Sequence, residues 1–178
     1  MPHFSQQPPQ IYKPDKSSKM GFGKLFQAIC FIGFTLVQAS LAQNSYRDFL
    51  DGQNAARAEV GVAPLTWNHT LQVYAKNYAN KRRDCNLEHS NGPYGENIAQ
   101  GWGTFSAVEA VKMWVDEKQF YDVKSNSCKG GECLHYTQVV WRNTKSIGCA
   151  RVNCYKDGGI FMTCNYDPIG NYDGERPF

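Results

Sequence analysis

Six cysteines crowded between positions 85 and 164 constrain this chain more than any other feature. They are Cys85, Cys128, Cys133, Cys149, Cys154 and Cys164; a seventh, Cys30, stands apart. Cys30 lies in a leader. Lys19 and Lys24 give a positive start, Leu25 to Val37 is almost wholly apolar, and Ser40-Leu-Ala42 ends in small residues at the positions a signal peptidase reads. The apolar run is shorter than the ~20 residues a membrane span needs. Residues 20–42 therefore read as a secretory signal cut between Ala42 and Gln43, and Cys30 is lost with it. An even number of cysteines behind such a signal predicts three disulfides in an oxidising compartment. Their pairing stays open at this point. No CxxC pair occurs, which weakens a zinc reading of the cysteines.

The rest of the organisation follows from that cut. Residues 1–19 are polar and Pro-rich and are expected to stay disordered, and Met20 would itself start a compact signal. Residues 43–178 remain, enough for one hydrophobic core. The formal charge of +3 belongs to the leader, which holds four Lys against one Asp. The remainder balances at 15 basic and 15 acidic residues, so nothing marks a nucleic-acid partner.

Helical signals come first along the mature chain. Ser45-Tyr-Arg-Asp48 reads as a capping box, followed by a stripe through Tyr46, Phe49, Leu50, Ala56 and Val60 that Gly61 stops. A second helix is expected from about Thr66 to Arg83, with Leu71, Tyr74, Ala75, Tyr78 and Ala79 on one side. Cys85 to Gly103 is turn-rich and predicts no long element. Ser106-Ala-Val-Glu109 opens a third helix with Val108, Val111, Trp114 and Val115 inward, and Glu117 near that face. Phe120 to Gly131 reads as a loop. Ile147–Tyr155 and Ile160–Tyr166 read as strands joined by a hairpin at Lys156-Asp-Gly-Gly159. Helices first and antiparallel strands last place the fold in the α+β class. Asn68-His69-Thr70 is a glycosylation sequon, with His69 expected at the surface.

One stretch resists assignment by periodicity. Cys133-Leu-His-Tyr-Thr-Gln-Val-Val-Trp141 is apolar and aromatic, yet carries His135. As a strand it aligns His135 with Thr137, Val139 and Trp141; as a short helix it aligns His135 with Gln138 and Val139. A buried imidazole needs a hydrogen-bond partner, a metal or a wet pocket. His89, Glu96 and Glu117 are the residues available to join it. Two imidazoles and two carboxylates suit zinc or copper, or a water held for hydrolysis. They equally suit four satisfied polar side chains, since no HExxH pattern is present. No Gly-x-Ser-x-Gly elbow marks a serine nucleophile.

Two longer segments carry a resemblance. Leu134-His-Tyr-Thr-Gln-Val-Val-Trp-Arg-Asn-Thr144 and Phe161-Met-Thr-Cys-Asn-Tyr-Asp-Pro-Ile-Gly-Asn-Tyr172 resemble, in order, the two signatures of the plant pathogenesis-related class 1 proteins. These belong to the CAP superfamily of cysteine-rich secretory and antigen-5-like proteins. Asn54-Ala-Ala-Arg57, Gly61-Val-Ala-Pro-Leu-Thr-Trp67, His89-Ser-Asn-Gly-Pro-Tyr-Gly-Glu-Asn97 and Arg176-Pro-Phe178 match as well, so the resemblance covers essentially all of 43–178. It implies an α-β-α sandwich in which the stretch around His135 is a short helix. It implies bridges Cys85–Cys154, Cys128–Cys133 and Cys149–Cys164, and a cavity formed by His89, Glu96, Glu117 and His135. Gln53 departs from the histidine usual before Asn54, and Leu134 from a small or charged residue.

The resemblance also implies a role: a monomeric, non-enzymatic defence protein of the plant extracellular space (apoplast), acting against fungi and oomycetes by binding sterols or other lipids of their membranes. No cofactor is required, although the cavity could take a zinc or copper ion. Phe120, Tyr121 and Val123 are candidates for a sterol-binding wall, because a rigid apolar ligand needs an apolar groove. The segment 168–178 resembles one that plant relatives release as a peptide for a receptor, here by a cut between Asp167 and Pro168. The alternative is a metal-dependent extracellular hydrolase using the four-residue cavity.

Overall fold

The structure, a computed structural model, describes residues 10–11 and 44–178. The signal segment, the Ala42–Gln43 cut and most of the N-terminal extension lie outside the described residues. Gln10–Ile11 (β1) pairs in parallel with Ala99 and Gln100.

Helix α1 spans Tyr46–Glu59, and its start obeys the sequence reading: Ser45 and Asp48 form a reciprocal capping box. Thr66–Trp67 (β2) then pairs in parallel with the strand that starts at Ser146. Helix α2 covers His69–Lys81, beginning later than the apolar periodicity suggests. Asn68 sets that start by accepting the N–H groups of Thr70 and Leu71. It does so with Oδ1, leaving Nδ2, the glycan acceptor, uncommitted to the cap. His69 is exposed, as expected.

The turn-rich segment hides an eight-residue strand, β3 (Gly95–Trp102), which corrects the expectation of no long element there. Its glycines are demanded by packing rather than by turns. A Cβ at Gly101 would lie 2.3 Å from the Phe105 ring, and one at Gly95 would lie 2.2 Å from the Gln138 side chain. Helix α3 (Ala107–Asp116) follows with its expected Ser106–Glu109 box, but its buried face is Ala107, Ala110, Val111 and Trp114. Val108, expected inward, is 42% exposed, while Val111 and Trp114 are buried as expected and Val115 is partly buried. Glu117–Phe120 continues as a 3-10 turn. Phe120–Gly131 is not a plain loop: Tyr121–Asp122 (β4) and Ser127–Cys128 (β5) form a small hairpin. Leu134–Val139 is helix α4; Ser146–Asn153 (β6) and Gly159–Asp167 (β7) are the expected hairpin strands.

The main sheet has the order β1-β3-β7-β6-β2. Alternation along its strands divides the core. Ile98, Ala150, Val152 and Phe161 face Ala75 and Ala79 of α2. Ala99, Ile147, Cys149, Met162 and Tyr166 face the layer of α1, α3 and α4. This is the α-β-α sandwich of the α+β class, closed by the bridges Cys85–Cys154, Cys128–Cys133 and Cys149–Cys164.

Candidate functional site

Helix α4 has six residues, too few to be stable alone. It is a helix because buried charges hold both its ends. Helices leave their first N–H and last C=O groups without internal partners. The Glu117 carboxylate accepts the N–H groups of His135 (3.0 Å) and Tyr136 (3.3 Å), while Glu132 accepts those of Cys133 and Leu134. At the other end, Arg57 donates to the carbonyls of Val139 and Trp141, both at 2.9 Å, and also to those of Ala63 and Thr144. Arg57 is fully buried, and that burial lowers its pKa to about 10. Arg57 was visible in the sequence only as part of a matching motif; its task as a carbonyl clamp was not.

The four expected cavity residues assemble as two couples. His135 Nδ1 lies 2.7 Å from Glu117 Oε1, and His89 Nδ1 lies 2.9 Å from Glu96 Oε1. An ionised carboxylate only accepts, so each imidazole presents its Nδ1–H to the glutamate. That orients each ring through Nδ1, the way carboxylates orient metal-binding histidines. His135 Nε2 is buried and has no hydrogen-bond partner among the described residues. Its ring stacks on Trp114 at 6.4 Å with 13° between planes.

Glu96 is set differently. Burial pushes its carboxyl up, but His89 and Ser90 outweigh that and hold it below the usual carboxylate range. Asn165 donates to its second oxygen at 3.2 Å. Along β3, Glu96 follows the face of Ile98, whereas Asn97 turns to α4 and donates to the His135 carbonyl at 3.1 Å. Among the described residues no three His, Cys, Asp or Glu side chains gather as ligands for one ion. The glutamates stand as orienting partners of the imidazoles, and a zinc or copper ion would be held through imidazole nitrogen, His135 Nε2 foremost.

Behind His135 runs a buried polar chain. Tyr166 donates its hydroxyl to Gln53 at 2.8 Å and accepts from Asn97 at 3.1 Å. Gln53, the departure from histidine, thereby ties α1 to β7 and β3; an amide there is held by Phe49 and Tyr166, whatever the pH.

Phe120, Tyr121 and Val123 fall on three different surfaces. Phe120 packs over Gly131, where a Cβ would lie 2.8 Å from its ring. Tyr121 meets the rings of Tyr136 and Phe178. Val123 is 51% exposed at the hairpin tip. Beneath the hairpin is a cleft of about 160 Å³ lined by Tyr121, Leu134, Trp141 and Tyr172 among others. The Trp141 indole N–H is buried and has no partner among the described residues. The tail forms part of this cleft: Asn171 bonds to Thr137 and Leu134, Tyr172 packs on Trp141, and the Pro177 carbonyl accepts from Arg142. Asp167 and Pro168 themselves are exposed.

Residues 50–166 match the model of the cysteine-rich secretory protein family, CAP. The chain is 58% identical to the basic form of pathogenesis-related protein 1 from Nicotiana tabacum, over 89% of this chain and 90% of that one. It is 59% identical to pathogenesis-related protein 1A of the same plant, over 77% and 83% of the two chains. Among solved structures, NaASP2 with Zn2+ shares the fold at a TM-score of 0.63 and 22% identity, over 76% of this chain and 87% of that one. The chain belongs to the cysteine-rich secretory protein (CAP) family and, within it, to the plant pathogenesis-related class 1 proteins.

Proposed function

We propose that this is a non-enzymatic, extracellular defence protein that restrains fungi and oomycetes by binding their membrane sterols. The family assignment supports the defence role, and three disulfides suit life outside the cell. The observation that carries the sterol reading is the cleft beneath the β4–β5 hairpin. Its walls set the rings of Tyr121, Trp141 and Tyr172 and the aliphatic Leu134 among the polar Asn126, Thr137, Asn171 and Asp173, and Trp141 keeps an orphaned indole N–H that a sterol hydroxyl would satisfy. At about 160 Å³ the cleft is smaller than the roughly 300 Å³ at which small-molecule pockets begin. Entry of a sterol therefore requires the hairpin to lift. The test is sterol binding by the secreted protein beside growth inhibition of a sterol-requiring oomycete, with Trp141→Phe and Tyr121→Ala, both in the cleft wall, as variants. Binding lost in the variants, and growth restored by added sterol, is the expected result. Undiminished inhibition by variants that no longer bind sterol would overturn the reading.

A second reading rests on His135 Nε2, a buried nitrogen with no partner among the described residues. It supports reversible binding of zinc or copper through His135 and His89, a role in keeping with the same-fold NaASP2, whose structure holds Zn2+. A bound ion would supply Lewis acidity; Glu117 and Glu96 keep the imidazoles turned toward it. Calorimetry on the protein and on a His89→Ala, His135→Ala variant tests this, equal heats counting against it. The tail 168–178 is proposed as a releasable peptide, since Asp167 and Pro168 are exposed and no disulfide follows Cys164.

A further inference from the structure

Among the described residues, the outer edge of β6 is unpaired over most of its length. β2 pairs only with Ser146 and Ile147 before the chain turns into α2. Beyond that point Cys149, Arg151 and Asn153 stand opposite Cys164, Met162 and Ile160 of β7. The adjoining Cys154–Gly159 pair is closed by a hydrogen bond from the Cys154 N–H to the Gly159 carbonyl at 2.9 Å. In an antiparallel ladder, bonded and non-bonded pairs alternate. Positions 148, 150 and 152 therefore turn their main chain to β7, and 149, 151 and 153 turn theirs outward.

This edge floors a groove of about 520 Å³. One wall is a stripe of α2, Gln72, Lys76 and Asn80, at helical-turn spacing, continued by Arg83 in the turn just past the helix. The other is Tyr46 and Phe49 of α1, with Trp67 at one end. The helical part of the stripe is about 12 Å long, which matches about four residues of extended chain. Lys76, Arg83 and Arg151 all line it, and among the described residues no carboxylate does.

We propose that this groove binds an extended acidic peptide. Its main chain adds to the outward N–H and C=O groups of Cys149, Arg151 and Asn153, and its carboxylates meet Lys76, Arg83 and Arg151. The two-residue repeat of outward main-chain groups favours a peptide over an anionic polysaccharide, which has no matching repeat of donors and acceptors. A second copy of the same edge is disfavoured, because it would set these cations against their own kind.

The test uses the secreted protein and a fluorescein-labelled peptide alternating glutamate with valine, read by anisotropy at low salt. Two further peptides carry N-methyl groups at every second residue, one in each phase. Binding by the parent and by only one methylated phase is the expected result, because only one phase faces β6. Lys76→Glu, on the surface of α2, with Arg83→Glu, in the turn after it, should weaken binding at least tenfold while circular dichroism stays unchanged. Absence of binding, equal binding by both methylated phases, or displacement by polygalacturonate with no effect of methylation would overturn the proposal; the last would give the groove to a polysaccharide.

Discussion

The Arg176 guanidinium reaches out of the C-terminal tail and donates to the Lys124 carbonyl at 3.2 Å, and also to the neighbouring Val123 carbonyl. Asn126 returns the contact, donating to the Glu175 carbonyl at 3.0 Å. The tail is thus a clasp on the hairpin whose lifting the proposed sterol binding calls for. Phe178 against Tyr121 extends it. Arg176→Ala should loosen the hairpin and raise sterol on-rate several-fold, at a stability cost below about 1 kcal/mol because the contacts are exposed. Hydrogen exchange at 121–128 reads the loosening directly. Unchanged exchange would mean the clasp holds nothing.

Glu117 and Arg57 are the two ends of the α4 harness, and each should be costly to remove. Glu117→Gln keeps the size but weakens bonds to His135 and Tyr136, at about 2–3 kcal/mol. Arg57→Met leaves four carbonyls without their donor and should cost about 3–5 kcal/mol. Chemical denaturation measures both. Arg57→Met is predicted to be worse, although Arg57 touches neither imidazole; the reverse order would place the anchoring of α4 at its N-terminus alone.

Stability should depend on acid through Glu96. Its folded carboxyl sits below its ordinary value of 4.5, so in that window the unfolded chain binds more protons. The contribution is complete above 4.5 and fades as pH falls through the lower folded value. Glu96→Gln lacks it at every pH. Melting temperatures of wild type and variant should therefore be separated at about pH 7 and draw together toward about pH 3. A gap that stays constant across the range would show that the couple with His89 is not ionic in origin.

The parts of this fold that were readable from sequence are those written in local chemistry. Ser45–Asp48 and Ser106–Glu109 announce helix starts because both halves of each box lie within one turn. The β6–β7 hairpin is readable from two apolar runs around Lys156-Asp-Gly-Gly159. β3 was hidden because its glycines answer to Phe105 and Gln138, which approach from other elements. α4 was ambiguous for a related reason: its end-caps, Glu117 and Arg57, come from other elements. The pairing of each histidine with one glutamate is likewise a fact of packing, since Glu117 and His135 meet across 18 positions. The resemblance named these four residues as one cavity, and which glutamate meets which histidine, at Nδ1, is added by the packing.

The disulfides offer the last prediction, because they differ in what they enclose. Cys85–Cys154 closes a loop with a sequence separation of 69, and Cys128–Cys133 one of 5. If cross-links act mainly on the unfolded chain, the first is worth about 4 kcal/mol and the second about 2 kcal/mol. The smaller bridge has the more local task. Cys128 ends β5, and Cys133 is the N-cap residue of α4 without a side-chain cap of its own. The bridge therefore couples the β4–β5 hairpin to the helix that carries His135. Replacing Cys128 and Cys133 by serine should leave the domain folded, lower its melting temperature by only a few degrees, and speed hydrogen exchange in 121–137 selectively. Replacing Cys85 and Cys154 should instead lower the melting temperature by about twice as much and raise exchange throughout the β6–β7 sheet. Should both pairs loosen the same segments equally, the hairpin and α4 would be one cooperative unit with the sheet, and independent lifting of the hairpin would have no structural basis.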